Sequence, residues 1–386
     1  MGTAFLSPPN LAPQNLFDAD DFARQRAFFA ARPELTATPL HRCSGLARHL
    51  GIGELLVKDE TARFGLNAFK AAGAMFAIAT LSERGELRPG DTLVCASEGN
   101  HGRAVAHAAR GAGCAAKVYM SSRVTPARVN AIRDEGAEVV LVDGSYDDAV
   151  RVMAAEAHGN GWLVISDTSW AGYTEIPHLI MLGYTRILDE VAMQVSGDGL
   201  QPGLTTIFVP AGVGGLLAAV ACWAEWRYGA ERPRVVAVEP ASADCVQASM
   251  RAGRPTALPG PFDTVMGGLR CGVMSPSVFP AVQTLVDAGI GIEDDDAFEA
   301  MRLLARPVRP DPSIACGPSG AAALGGLLAV LGDPALDAVR RHLRLDAGAT
   351  VVVLATEGVT DPALFQEALA RPRHAASRNR TLRPES

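Results

Sequence analysis

The chain of 386 residues predicts an α/β fold of two doubly wound domains with mostly parallel sheets. Three observations carry that expectation. Short apolar runs alternate with longer alanine-rich stretches along most of the chain, as strands alternate with helices. The apolar runs are continuous, the mark of strands covered on both faces in a parallel sheet. The length, with 48% hydrophobic residues, suits two domains or one large α/β unit.

Residues 1–40 are mixed, and Pro8, Pro9 and Pro13 interrupt any early element. Ala37-Thr38-Pro39-Leu40 reads as an extended turn, because a residue before proline avoids the helical region. Strands are expected at 55–57, 92–96, 116–120, 138–142 and 163–165, and a second set at 205–209, 235–239 and 350–354. The stretches 71–80, 104–112 and 149–157 are rich in small helix formers and read as helices. The segment 253–275, rich in glycine and proline, has no period and reads as a mobile loop. Residues 371–386 are basic and polar without an aromatic platform, which predicts a disordered tail rather than a nucleic-acid arm. Residues 1–40 with 80–190 are expected to form a smaller domain, and residues 41–79 with 191–370 a larger one.

Net charge is −7, so no basic field is available for nucleic acid or an anionic membrane. No apolar run approaches the roughly 20 residues of a membrane span. The first residues lack the basic-then-apolar pattern of a signal peptide, and Met1-Gly2 is followed by Leu6 where a myristoylation signal has a hydroxyl. Seven cysteines without any C-x-x-C pair argue against a zinc site and fit reduced thiols. The expectation is a soluble cytoplasmic protein.

Four motifs carry chemistry. Lys70 closes Arg63-Phe64-Gly65-Leu66-Asn67-Ala68-Phe69-Lys70, between a strand and a helical run. An amine desolvated there attacks aldehydes, which is how pyridoxal phosphate is held as a Schiff base. Taken alone, the same lysine reads first as a surface residue of an amphipathic helix, and the companion motifs reverse that reading. Pro210-Ala211-Gly212-Val213-Gly214-Gly215-Leu216 follows a strand and opens a helix, where backbone amides and the helix N-terminus suit a single phosphate. Its spacing is neither the dinucleotide fingerprint nor a P-loop, and a plain tight turn is the competing reading. Ser97-Glu98-Gly99-Asn100-His101-Gly102 offers backbone donors and an amide for a phenolic or carboxylate oxygen, or simply an N-capped loop. Ser166-Asp167-Thr168-Ser169-Trp170-Ala171-Gly172-Tyr173 sets a carboxylate past a strand, where such sheets bind ligands. Asp167 serves as a general base if its pKa is raised, Glu98 offers a second carboxylate, and either reads alternatively as a cap or turn residue.

Together these motifs resemble the diaminopropionate ammonia-lyases, pyridoxal-phosphate enzymes with the tryptophan synthase β-subunit fold. The likeness covers about 35–365 and includes Ala355-Thr356-Glu357-Gly358-Val359-Thr360-Asp361. Secondary matches are Val238-Glu239-Pro240, Met266-Gly267-Gly268-Leu269 with Cys271-Gly272, and Gly317-Pro318-Ser319-Gly320-Ala321. The resemblance implies that Lys70 forms the Schiff base and shuttles the α-proton. Gly212, Val213, Gly214 and Gly215 would take the 5′-phosphate, and Asn100 the cofactor's 3′-oxygen. Thr356 would face the pyridine nitrogen, with Ser319 as the competing candidate. Asp167 and Glu98 would handle substrate protons or the β-amino group, and Ser97, Gly99, His101 and Tyr173 would line the substrate. Cys245 and Cys271 match a cysteine pair of the family, though two separate thiols read equally well in a reducing compartment.

The chain departs from the family pattern twice: Glu98 stands where the family has aspartate, and Trp170-Ala171-Gly172 where it has W-E-G. The implied reaction is α,β-elimination of 2,3-diaminopropionate through aminoacrylate to pyruvate and ammonia, by a homodimer. A serine, threonine or 3-hydroxy amino acid dehydratase is the nearest alternative. A β-replacement synthase is the next, and a non-enzymatic cofactor-binding module the last.

Overall fold

The computed structural model describes residues 3–7, 11–97, 99–197 and 203–371. Glu98 and the basic tail beyond 371 therefore lie outside the described residues. In chain order the strands are β1 (Ala4–Leu6), β2 (Leu40–Arg42), β3 (Glu54–Asp59), β4 (Thr92–Ala96), β5 (Ala115–Ser121) and β6 (Glu138–Val142). They continue with β7 (Leu163–Val164), β8 (Thr206–Pro210), β9 (Arg234–Pro240), β10 (Ala288–Ile292) and β11 (Thr350–Ala355). All eight strands expected from apolar runs are present. Helices cover the three alanine-rich stretches, as Lys70–Glu83, Asn100–Gly111 and Tyr146–Asn160.

The chain divides into two units: 1–19, 37–62 and 187 onward, and 20–36 with 63–186. The larger holds a sheet in the order β1-β10-β9-β8-β11-β3-β2, parallel from β10 to β3 with an antiparallel strand at each edge. Its strands β8, β10 and β11 are buried at every position, as parallel strands covered on both faces are. Each such valine or leucine contributes roughly 1.5–3 kcal/mol on leaving water. The smaller unit holds β6-β5-β4-β7, all parallel. Tyr119 of β5 packs there with Val94, Ala149 and Met153.

The division differs from the expected one at two places. Strands β1 and β2 bind the edges of the seven-stranded sheet, so the first residues and 37–42 join the larger unit. The helix Lys70–Glu83 packs on the helices Asn100–Gly111 and Glu175–Tyr184, which places Lys70 in the smaller unit. Strand β10 escaped sequence reading because glycines break its apolar run. A Cβ at Gly289 would stand 3.1 Å from Gln247 Cδ, and one at Gly291 3.4 Å from Gln247 Nε2. The segment 253–275 is irregular apart from the 3-10 turn Gly267–Leu269. It is tied down by Leu258 N donating to Gly272 O at 2.8 Å and by Arg270 Nε donating to Thr264 O at 2.9 Å.

Inside the larger unit a lysine of β3 is wholly buried. Lys58 Nζ donates to Glu190 Oε2 at 2.7 Å, to Thr38 O at 2.7 Å and to Gln194 Oε1 at 3.1 Å. Thr38 Oγ1 in turn donates to Glu60 Oε1 at 2.7 Å. These polar groups belong to 37–62 and 187–194, the stretches on either side of the points where the chain passes between units.

Candidate active site

In the smaller unit three segments bring titratable groups together. Lys70 is the first residue of its helix and is half-buried, its amine 5.1 Å from the centre of the Phe69 ring and 5.9 Å from that of Tyr184. Strand β7 leads into the loop of Asp167, whose carboxylate pairs with the Lys70 amine. Strand β4 leads through Ser97 into the helix that begins at Asn100. On its first turn His101 donates from Nε2 to Ile165 O at 2.9 Å, which leaves Nδ1 facing Asp167 Oδ2 at 3.9 Å. Among the described residues that Nδ1 has no hydrogen-bond partner. The expected cluster of Lys70, Asp167 and His101 is thus assembled within one unit.

The condition attached to Asp167 is reversed. Burial pushes its carboxyl up, but the neighbouring His101 and Lys70 charges and the Lys70 hydrogen bond outweigh burial and hold it well below the usual carboxylate range. With Lys70 charged, Asp167 is an anion that orients the amine rather than a base waiting for a proton. Removing the charge at Lys70 leaves the burial less opposed, which raises the carboxyl.

Two residues expected to line substrate are spent on the scaffold. Ser97 Oγ accepts from Gly102 N at 3.0 Å and Gly99 N at 3.3 Å, closing the loop before the helix. The Tyr173 hydroxyl donates to Val164 O at 2.8 Å and accepts from Ser166 N at 2.9 Å. It thereby staples the loop of Asp167 to the end of β7, and its ring stacks on Trp170 with centroids 4.0 Å apart. Trp170 and Tyr173 exchange backbone hydrogen bonds around Ala171 and Gly172, where Gly172 supplies a φ of 81°.

In the larger unit β8 runs into Ala211 and the glycine loop, which opens the helix Gly215–Tyr228. Gly214 sits at φ 94°, a conformation a side chain resists. Gly212 is equally constrained by space: a Cβ there would stand 3.1 Å from Cys271 Sγ and 3.3 Å from Gly268 O. Among the described residues the amides of Gly212, Val213 and Gly214 donate no backbone hydrogen bond, so they remain available to an anion at the helix N-terminus. Thr356 lies buried just past β11, and Ser319, on the first turn of the helix Pro318–Gly332, accepts from Gly268 N at 2.9 Å.

Beside them stands a carboxylate that sequence reasoning passed over. Glu357 is buried, and its Oε1 would lie 3.1 Å from a Cβ on Gly317. It was visible inside the A-T-E-G motif, but nothing in the pattern marked it as inward. Cys245 and Cys271 are thiols with no disulfide between them, so the implied pairing is not formed. Cys245 Sγ donates instead to Gly212 O at 3.6 Å.

The comparisons decide the family. Residues 31–357 match the family described as pyridoxal-phosphate dependent enzyme. The chain belongs to that family. Among its relatives the diaminopropionate ammonia-lyase of Escherichia coli (strain K12) is 36% identical over 377 residues, covering 94% of each chain. That of Salmonella typhimurium (strain LT2) is 34% identical over 372 residues, covering 90% of this chain and 92% of the relative. The crystal structure of the Escherichia coli enzyme in complex with D-serine superposes with a TM-score of 0.88 at 33% identity, covering 97% of this chain and 98% of that one. The fold is therefore the α/β fold type II of the pyridoxal-phosphate enzymes, and the protein is a pyridoxal-phosphate-dependent enzyme of the ammonia-lyase and dehydratase group. Each unit carries groups that fit that cofactor: the smaller an amine suited to its aldehyde, the larger backbone amides without internal partners suited to its phosphate and buried hydroxyls at Thr356 and Ser319 suited to its ring nitrogen. Among the described residues no single helix is long and apolar enough to cross a membrane.

Proposed function

We propose that the protein converts 2,3-diaminopropionate and water to pyruvate and two ammonia molecules by α,β-elimination. The Lys70–Asp167 pair carries this reading, supported by likeness to diaminopropionate ammonia-lyases over nearly the whole chain. Bound pyridoxal phosphate supplies an electron sink for the substrate's α-carbon. Lys70 would hold the cofactor through its amine, and as a neutral amine would take the α-proton. Asp167 holds Lys70 in place while the amine is charged, and its rising proton affinity when that charge is gone suits it to steer protons at the substrate. Asn100 would orient the cofactor's ring oxygen, the amides of 212–215 would hold its phosphate, and Thr356 or Ser319 would meet the ring nitrogen. Glu98 is assigned to the β-amino group. His101 borders the reacting pair, whereas Ser97, Gly99 and Tyr173 shape the loops.

In this reading the enzyme is a cytoplasmic homodimer. The test is a pyruvate-release screen over D- and L-diaminopropionate, serine, threonine and 3-hydroxyaspartate, with light scattering for the assembly. A diaminopropionate enantiomer should give the highest kcat/KM. If a hydroxy amino acid leads instead, the enzyme is a dehydratase. Product formation only with an added thiol or amine makes it a β-replacement synthase.

A further inference from the structure

A phenol absent from every motif lies under the Lys70–Asp167 pair. Tyr184 ends the helix Glu175–Tyr184, is 1% exposed, and its hydroxyl has no hydrogen-bond partner among the described residues. Its ring packs on Phe69 at 4.8 Å between centroids, and the Lys70 amine lies 5.9 Å from its own centroid. Burial pushes the phenol up, the Lys70 charge pulls it down and the Asp167 charge pushes it up again, and burial prevails, so the phenol stays protonated at working pH. A buried hydroxyl without a partner costs about 1–3 kcal/mol, so its persistence beside this pair asks for a use.

The packing that brings it there needs two glycines, Gly73 in the first turn of the helix Lys70–Glu83 and Gly183 next to the last residue of the helix Glu175–Tyr184. A Cβ at Gly183 would stand 2.7 Å from Ala72 O and 2.8 Å from Gly73 Cα. One at Gly73 would stand 2.6 Å from Ile180 O and closer still to the Tyr184 ring. Neither glycine has a positive φ, so close approach alone requires them.

We propose that Tyr184 is a positioning residue for Lys70: its hydroxyl is the second polar partner of the lysine amine, beside the Asp167 carboxylate. Unpaired in this structure, that hydroxyl accepts from the ammonium as the amine rotates off Asp167. This rests on Lys70 being the cofactor lysine.

The test is Tyr184→Phe, which keeps the ring and deletes the oxygen. In the full-length chain freed of cofactor, acylation of Lys70 by acetic anhydride is followed against pH by peptide mass mapping. The midpoint should fall by about half a unit or more, since the ammonium loses an acceptor. In the loaded enzyme kcat should drop about 10-fold with KM unchanged, and the thermal midpoint should hold or rise. A Lys70 titration that superimposes on the parent's, at any thermal midpoint, overturns the proposal and leaves Tyr184 a packing residue. Lys70→Ala run alongside separates the two readings. If it keeps the visible cofactor band and a borohydride-fixed attachment, the lysine assignment itself fails, whatever Tyr184 does.

Discussion

Lys58 Nζ and Glu190 Oε2 stand 2.7 Å apart with both side chains wholly out of water. Two charges taken from water attract strongly but surrender their hydration, so the pair is worth far less than the cost of breaking it. Lys58→Met strands the Glu190 carboxylate and should destabilise the protein by about 3–5 kcal/mol in urea unfolding. Adding Glu190→Leu should restore most of the loss. If the single variant costs under about 1 kcal/mol, the cluster around Thr38, Lys58 and Glu190 is not holding the crossover segments together.

Asp167→Asn should lower kcat about 100-fold while the cofactor's visible band and affinity stay unchanged. Lost cofactor affinity would make Asp167 a structural residue. The acid limb of stability offers a second check. Because its folded pKa is depressed, Asp167 stabilises the fold above its unfolded value of about 3.9, and that contribution is lost as pH falls toward the lower folded value. Thermal melts between about pH 4 and 2 should therefore slope less in the asparagine variant.

Glu239 behaves in the opposite sense. It ends β9 wholly buried and accepts from Val246 N at 2.7 Å and Gln247 N at 3.0 Å, and burial pushes its carboxyl up to about 8. Stability tied to its protonated form is complete below about pH 4.3 and declines as pH rises toward that value. Glu239→Gln removes the titrating proton, keeps one of the two amide contacts on its single oxygen, and should flatten the decline in melting temperature from pH 5 to pH 9. Parallel curves for parent and variant would show that Glu239 does not set it.

Glu98→Asp should raise activity on diaminopropionate, the D-enantiomer above all. One methylene moves a carboxylate by about an ångström, a displacement that costs up to about a hundredfold in rate. Unchanged or lower activity on both enantiomers would remove Glu98 from the chemistry.

The parallel strands were legible because burial on both faces writes itself as unbroken apolar runs, as in 350–354. The edges were not: β1 and β2 are three residues long, too short for a period. The unit boundary was misplaced because Lys70 reads as following β3, whereas its helix answers to partners a hundred residues downstream. Of the site, Lys70, Asp167 and the glycine loop announced themselves through residue type and position after strands. Tyr184 did not, since a tyrosine within an apolar helical run looks like core, and only the crossing at Gly73 brings it under the amine. Ser97 and Tyr173 carried the right chemistry for ligand contact, but their oxygens are committed to backbone a few residues away.

Strand β10 carries a warning for anyone wishing to harden this protein. Its alternating glycines invite replacement by valine or isoleucine, which any table of strand preferences would recommend. The missing side chains are the groove in which the Gln247 side chain rests, and Gly291 N donates to Thr3 O at 2.7 Å from the same strand. Filling the groove would evict Gln247 from beneath the helix Cys245–Ala252, whose first turn is moored to Glu239. The weakest-looking strand of the sheet is therefore the one least open to improvement.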